Sequence, residues 1–183
     1  MKLYDLRADF SSCCAFVLQP GETGSTWGDD WFDGTPRGDA YPVPKGCRHQ
    51  DRIDGPLPDY TEFDLGPFPT FSERAIHALG SLLKENGEFA AIELDEPLRY
   101  FAFNTTTIVD ILDEARSEIA RFRDGRVMAV DQLVLLGSVA NLPPIFKIPQ
   151  TRVETTYVSE EFVTKAQEHR LSGFRFDLLF QRG

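Results

Sequence analysis

The sequence has few cysteines, no long apolar run and no apolar N-terminal stretch. These are the features that would indicate an oxidising compartment or a membrane. It contains 3 cysteines among 183 residues, too few and odd in number for a disulfide framework. No apolar run reaches the roughly 20 residues that a membrane helix needs. Near the N-terminus, Asp5, Arg7 and Asp9 interrupt the apolar residues, so no signal peptide is predicted. We therefore expect a cytoplasmic protein with no membrane partner.

Positive charge is also scarce. Lys and Arg number 19 against 29 Asp and Glu, which gives a formal net charge of -10. Because phosphate binding needs clustered cations, this balance argues against nucleic acid as a direct ligand. It favours a cationic partner, whose approach the negative charge would steer. The alternative is that the acidic surface only keeps the protein soluble.

The common catalytic and cofactor motifs are missing. The sequence has no G-x-S-x-G, no Gly-rich phosphate loop and no H-E-x-x-H. Of the three histidines, His77 and His169 fall on predicted helices and His49 in a loop. The sequence therefore predicts no catalytic residues and no cofactor, and the protein is not expected to be an enzyme.

Two groups of side chains could still hold a metal ion. The soft candidates are Cys13, Cys14, Cys47 and His49, but the adjacent cysteines lack the spacing of a zinc knuckle. We expect thiols there and no metal.

The second group is an acidic cluster of Asp110, Asp113, Glu114 and Glu118, which could bind a hard cation or serve general acid–base catalysis. It lacks a calcium-loop spacing and a nearby Lys or His. Pairing with Arg116, Arg121 and Arg123 is the favoured interpretation.

An apolar fraction of 42% with 15 Phe can fill a core. The patterns predict one α+β domain over 1–183, with an antiparallel or mixed sheet and at least two helices. One helix is predicted over 70–85, with Thr70 and Glu73 as a capping box. The other covers 159–170, with Ser159 as N-cap, Val158 and Val163 as a hydrophobic staple, and Gly173 as the stop. Strands are predicted at 2–6, 14–18, 88–94, 98–103, 127–136, 145–148, 156–158 and 174–178.

Two further patterns concern connections. Residues 20–69 form a loop-rich segment with many aromatics and acids, in front of a helix-plus-sheet core over 70–183. Because a disordered linker would not carry so many aromatics, we expect this segment to be ordered. Asp124-Gly125 predicts a hairpin. A two-residue turn would pair Phe122 with Val127, while a longer loop remains an alternative because it avoids placing Arg123 opposite Arg126.

Several segments, taken in order, resemble immunity family eleven of bacterial polymorphic toxin systems. They are Trp31-Phe32-Asp33-Gly34-Thr35-Pro36-Arg37-Gly38, Phe71-Ser72-Glu73-Arg74-Ala75, Val109-Asp110-Ile111-Leu112-Asp113, Arg116-Ser117-Glu118, Ile145-Phe146-Lys147-Ile148-Pro149 and Leu171-Ser172-Gly173-Phe174-Arg175-Phe176. The resemblance implies a binding protein that neutralises a secreted toxin effector, and it carries over no catalytic residue. The alternatives are a small hydrolase or transferase using the cluster around Asp110, and an accessory or adaptor protein of a secretion system. The oligomeric state stays open.

The predicted partner-binding residues lie in one aromatic and acidic loop: Trp27, Asp29, Asp30, Trp31 and Asp33. Their carboxylates could meet a cationic toxin surface, and the Trp rings could supply anchor area. The competing interpretation is that Trp31 and Phe32 pin the loop to the domain. In that case Trp27, Asp29 and Asp30 remain the better interface candidates, and the segment 110–118 is the next candidate surface.

Overall fold

A computed structural model describes residues 1–21, 30–52, 55–66, 68–137 and 139–181. Within these ranges the chain forms an α+β domain, as predicted. The strands are β1 Lys2–Ala8, β2 Phe16–Leu18, β3 Lys45–Arg48, β4 Tyr60–Glu62, β5 Pro69–Ser72, β6 Gly87–Leu94, β7 Tyr100–Thr105, β8 Glu118–Arg121, β9 Val127–Gln132, β10 Ile145–Phe146, β11 Tyr157–Ser159 and β12 Phe174–Gln181. The helices are α1 Glu73–Leu79, α2 Ser81–Lys84 and α3 Glu160–Glu168.

The strands form two sheets and a separate hairpin. The four-stranded sheet has the order β10-β11-β1-β12 and is antiparallel throughout. The six-stranded sheet has the order β2-β3-β6-β7-β5-β4 and is mixed, because β3 runs parallel to β6. Among the described residues, strands β8 and β9 pair only with each other. The prediction of antiparallel or mixed pairing is confirmed.

Helix formation over 70–85 differs from the prediction in both its start and its continuity. Thr70 lies in β5 and its hydroxyl donates to the Phe68 carbonyl, so it caps nothing. Ser72 is the N-cap, and its hydroxyl oxygen accepts from the Ala75 N–H at 3.0 Å. Gly80 adopts φ +51° and divides the segment into α1 and α2. The apolar periodicity was sufficient to place the helix but not its ends.

The tail forms the predicted strand, helix and strand, with corrections at the caps. The Ser159 hydroxyl makes no cap hydrogen bond and has no partner among the described residues. Val158 and Val163 are both buried in one apolar cluster, as a staple requires. The helix ends at Glu168, and Arg170 at φ +50° reverses the chain before Gly173 is reached.

The hairpin has a longer connection than a two-residue turn. The Phe122 N–H donates to the Arg126 carbonyl at 2.8 Å, and the Gly125 N–H donates to the Phe122 carbonyl at 3.0 Å. The loop is therefore 123–125, with Gly125 at φ +88°, a turn that needs a left-handed residue at its end. Phe122 lies opposite Arg126, not opposite Val127, so the two-residue turn is wrong and the longer loop is right.

Three apolar clusters fill the space between these elements. The first joins β1 and β12 to the three helices, and it includes Leu6, Phe71 and Phe162. The second lies on the six-stranded sheet under the loop-rich segment, with Phe32 at its centre. The third connects the other face of the four-stranded sheet to the residues around Ile111. Within the described ranges, no helix is long and apolar enough to cross a membrane.

Candidate partner-binding site

Two of the five predicted partner-binding residues, Trp27 and Asp29, lie outside the described residues. The other three, Asp30, Trp31 and Asp33, occupy different environments. Asp30 is exposed, Trp31 is half-buried and Asp33 is 7% exposed. The predicted site is therefore not one uniform exposed loop.

Trp31 packs against the domain. The Arg37 guanidinium lies 4.8 Å from its ring centroid, and the Tyr41 ring centroid is 5.9 Å away. The next residue, Phe32, is fully buried and contacts Tyr41 and Phe68. These contacts hold the start of segment 31–36 against the six-stranded sheet.

The Asp33 carboxylate is satisfied inside the chain. It accepts the Thr35 N–H at 2.9 Å, and its oxygens lie 3.7 Å from Arg37 and 3.5 Å from Arg152. Burial raises the pKa of Asp33, but the Thr35 hydrogen bonds and the two guanidiniums outweigh it and hold the pKa below its usual value. Asp33 stays ionised and orders its neighbours.

Asn104 on β7 fixes the turn that follows. Its amide oxygen accepts the Gly34 N–H at 2.9 Å, and its amide nitrogen donates to the Thr35 carbonyl and the Tyr41 hydroxyl, each at 2.8 Å. Gly34 adopts φ +89°, and a Cβ there would lie 3.0 Å from the Thr105 carbonyl oxygen. Only glycine suits this close approach to β7.

Lys147 holds the neighbouring segment 149–154 in place. It is buried, and its ammonium donates to the Arg152 carbonyl at 2.7 Å. Burial lowers the pKa of Lys147 to about 8, although the nearby Asp33 carboxylate acts in the opposite direction. Asp33, Lys147 and Arg152 thus hold segment 149–154 beside the start of segment 31–36.

Asp30 lies on a cleft between this segment and the β8–β9 hairpin. The cleft, called here the hairpin cleft, has a volume of about 490 Å³. It is lined by Asp30, Arg121, Phe122, Gly125, Arg126, Val127, Pro149, Gln150, Thr151, Arg152, Val153 and Glu154. Carboxylates and guanidiniums both line it, so it fits a partner surface that carries charges of both signs.

The hairpin carries exposed apolar side chains, of which Phe122 lines this cleft. Phe122 is 43% exposed and Met128 is 46% exposed. The Arg126 guanidinium lies 5.3 Å from the Phe122 ring centroid. Exposed aromatic, Met and Arg side chains are the types enriched at protein interfaces. The hairpin cleft therefore has the composition of a protein-binding site.

The acidic segment 110–118 borders the same cleft. The Glu114 carboxylate accepts from Arg121 at 2.7 Å and from the Gln150 amide at 2.9 Å, and Asp110 accepts from Gln150 at 3.4 Å. The predicted arginine pairing holds for Glu114 and, with a longer distance of 3.8 Å to Arg116, for Asp113. The two candidate surfaces of the sequence, the loop at Asp30 and the segment 110–118, thus meet at one place.

The cysteines and histidines do not gather into a metal site within the described ranges, where no group of three or more His, Cys, Asp or Glu has suitable geometry. Cys13 and Cys14 are buried free thiols, and burial raises the pKa of Cys14 and Cys47. The His49 imidazole accepts the Asp51 N–H.

A second polar centre surrounds Asp59, away from the hairpin cleft. This carboxylate is 5% exposed and accepts the Ser72 hydroxyl at 2.9 Å, the Ser172 N–H at 2.9 Å and the Arg74 guanidinium at 2.5 Å. Arg74 also donates to the His169 carbonyl. These contacts join β4, α1 and the turn before β12, which is a structural role.

Sequence reasoning missed the hairpin tip as part of the site. The sequence patterns predict only turn geometry or ion pairing for the residues there, which are Arg121, Phe122 and Arg126. A usable signal was present, since a bulky aromatic between arginines at a tight turn cannot reach a core.

No protein-family model matches the chain, and no curated protein sequence matches it.

Proposed function

We propose that this protein is an immunity protein, which binds a cognate secreted toxin effector at the hairpin cleft and neutralises it in the cytoplasm of the producing cell. The observation that carries the proposal is the meeting of Asp30, the exposed Phe122 and the acidic segment 110–118 around one cleft. The order of the family-like segments supports the same function.

Two physical effects would act in this binding. The net charge of -10 steers a cationic toxin during approach. The hairpin cleft then provides an apolar anchor at Phe122 and charged groups of both signs at its walls. Charge would mainly set the association rate, and the buried anchor would mainly set the dissociation rate.

The first experiment is co-expression with the toxin encoded by the neighbouring gene. Rescue of growth and co-purification of a complex are expected. If growth is not rescued and no complex forms, the proposal is wrong. A neighbouring metabolic operon in place of a toxin gene would favour the enzymatic alternative.

The second experiment locates the interface by measuring binding kinetics with the purified toxin. Phe122→Ala should speed dissociation and weaken binding by about 2 kcal/mol, as loss of a hot-spot residue does. Asp30→Lys should slow association and reduce its salt dependence. Val43→Ala is the matched control, because Val43 is 55% exposed and does not line the cleft.

Unchanged kinetics in folded Phe122→Ala and Asp30→Lys proteins would move the interface away from the hairpin cleft. In that case Trp27 and Asp29, which precede Asp30 in the chain, are the next positions to substitute.

The enzymatic alternative uses the same acidic residues and can be separated from binding. Hydrogen bonds from Gln150 and Arg121 lower the pKa of Glu114, which disfavours it as a proton donor. Asp110→Asn keeps the size of the side chain and removes its charge. Under the binding proposal any loss of rescue in this variant comes with weaker toxin binding, whereas a catalytic Asp110 would make rescue fail while toxin binding stays unchanged.

A further inference from the structure

β12 is the outer strand of the four-stranded sheet, and its outer side is flanked at its start, where the Ser172 carbonyl accepts the Asp59 and Tyr60 N–H groups. β1 lies on one side of it, and no strand among the described residues pairs with the other side. It spans Phe174–Gln181, and Leu178 and Leu179 are 52% and 38% exposed. Exposed long edges with apolar side chains are templates for pairing with another strand.

The charges of β12 lie opposite like charges within the chain. Arg175 is directly opposite Arg7, and Asp177 is directly opposite Asp5. Like charges in this position destabilise a sheet. Burial raises the pKa of Asp5, and the Asp177 carboxylate adds to the same direction. Across the ladder to β1, Arg175 is attracted by Asp5 on the diagonal, and along β12 its guanidinium lies 3.1 Å from the Asp177 carboxylate. These two side chains are 57% and 47% exposed, so both remain accessible to the charges of a second copy.

The backbone direction of the free edge follows from one hydrogen bond. The Leu6 N–H donates to the Thr156 carbonyl at 3.0 Å, so the backbone N–H and C=O of Leu6 point away from β12. Phe176 lies opposite Leu6, and its own N–H and C=O therefore point away from β1. Because the direction of the backbone N–H and C=O groups alternates along a strand, these groups of Phe174 and Leu178 also point away from β1.

A second copy of this strand, antiparallel and related by a two-fold axis through Phe176, matches this edge. Phe176 would exchange both backbone hydrogen bonds with its own copy, and Phe174 would do so with Leu178 of the second copy. Arg175 would then face Asp177 of the second copy in the closer kind of pair, with Cα atoms about 4.5 Å apart. Both charge pairs are complementary in this register.

Other symmetric registers are poorer. An axis through Arg175 opposes arginine to arginine, and an axis through Asp177 opposes aspartate to aspartate. Leu179 is the extra residue of a β-bulge, since Tyr4 pairs with Leu178 and Leu3 with Phe180. The bulge ends the regular part of the edge just after Leu178.

We propose that this protein forms a homodimer in which β12 of each copy pairs antiparallel about Phe176, joining the two four-stranded sheets into one continuous sheet. Arg175 and Asp177 fix the register by pairing across the two-fold axis, and Leu178 is covered by Phe174 of the second copy. The hairpin cleft contains none of these residues, so the dimer is independent of the proposed function.

The test uses two charge variants whose errors cancel only in a mixed dimer. Arg175→Asp places two aspartates opposite each other in a homodimer, and Asp177→Arg places two arginines opposite each other. In a mixed pair, every aspartate at position 175 or 177 of one chain faces an arginine of the other. Each substitution removes the Arg175–Asp177 ion pair within the chain but puts an opposite charge across from Arg7 or Asp5, which offsets that loss.

Molar mass is measured by light scattering and sedimentation over a range of concentrations. The expected results are a dimer for the wild type, a dissociation constant raised at least ~tenfold for each variant alone, and a dimer restored in the equimolar mixture. Glu168→Arg, an exposed charge reversal on α3, should leave the dimer unchanged. Far-UV circular dichroism checks that each variant is folded.

A monomeric wild type at all concentrations would overturn the proposal, and the edge would then be open to a strand of another protein. Single variants that dimerise as tightly as the wild type, or a mixture that stays monomeric, would overturn it as well, because the pairing of Arg175 with Asp177 would not then hold the dimer.

Discussion

Glu62 is a half-buried carboxyl in β4 that interacts with Arg7, Asp5 and Arg175. Burial raises its pKa to about 7, with Asp5 acting in the same direction and the two arginines against it. The folded protein therefore keeps the Glu62 proton up to about pH 7, whereas the unfolded chain releases it near the ordinary glutamate pKa of 4.5. Ionised Glu62 is a cost to the fold at neutral pH.

The sign of this linkage gives a prediction for pH. Between pH 4.5 and about 7 the folded state binds the extra proton, so the free energy of unfolding falls as the pH rises through this window. Glu62→Gln cannot ionise, and it should be more stable than the wild type by about 2 kcal/mol at pH 8, with little gain at pH 4.5. Urea denaturation at both pH values measures the difference.

Glu168→Gln, on the exposed surface of α3, serves as the control and should shift stability little at either pH. An equal gain for Glu62→Gln at pH 4.5 and pH 8 would mean that the effect comes from packing and not from the proton.

At the scale of elements, one buried carboxylate joins three parts of the chain. Asp59 precedes β4, Ser72 caps α1, and Ser172 lies in the turn between α3 and β12. The Ser72 hydroxyl donates to Asp59 while accepting the Ala75 N–H, so the cap of α1 and the tie are one network. Removing the carboxylate leaves the part-buried Ser72 hydroxyl and Ser172 N–H without this acceptor.

Asp59→Ala should therefore destabilise the protein by about 2 kcal/mol, because the part-buried Ser72 hydroxyl and Ser172 N–H lose their acceptor, while the largely exposed Arg74 guanidinium returns to water. Thermal and urea unfolding measure this loss. Asp39→Ala, in an exposed position, should stay within about 0.5 kcal/mol of the wild type. A loss below 1 kcal/mol for Asp59→Ala would mean that water replaces the carboxylate.

Element types were predictable from the sequence, and their ends were not. The apolar periodicity of residues 70–85 indicates a helix, but Phe71 fits both a helix and a strand. Its neighbours pair with β4 and β7, so residues 69–72 become β5 and the helix starts later. Only tertiary pairing decides between these outcomes. Ser159 shows the same limit, since capping residues matched in sequence while the hydroxyl found no N–H to accept.

The candidate site was half predictable for a similar reason. Asp30 and the segment 110–118 were identified by composition, but nothing in the sequence places them around the same hairpin. That juxtaposition depends on the long-range Asp33–Arg152 ion pair, while the local Lys147–Arg152 hydrogen bond shapes segment 149–154. Trp31 packs against Arg37, and Asp33 pairs with Arg37 and Arg152. Composition cannot assign these partners.

At the scale of the molecule, the β8–β9 hairpin is attached less firmly than either sheet. In the part of the chain that the structure describes it pairs with no other strand, and many of its side chains are exposed. Its connection to the domain includes the Leu112–Leu135 bridge and the third apolar cluster. Regions with few buried contacts open at lower free energy than the core.

Native-state hydrogen exchange should show this difference directly. Amides of β8 and β9 should exchange at least ~tenfold faster than the amides of β7, whose residues Ala102 and Phe103 are fully buried. Addition of the toxin should slow exchange in the hairpin if the hairpin cleft is the interface. Equal protection of β7 and the hairpin without toxin would show that the hairpin opens only when the whole protein unfolds.

The position of β1 has a consequence for biosynthesis. β1 lies between β11 and β12, and the Lys2–Glu160 ion pair joins residues 158 positions apart. A ribosome adds about 5–20 residues per second, so on the order of ten seconds pass between the appearance of β1 and that of the strands beside it. Throughout this time Leu3 and Leu6 belong to an unpaired segment of the nascent chain, and β11 and β12 can pair with β1 only after their own synthesis.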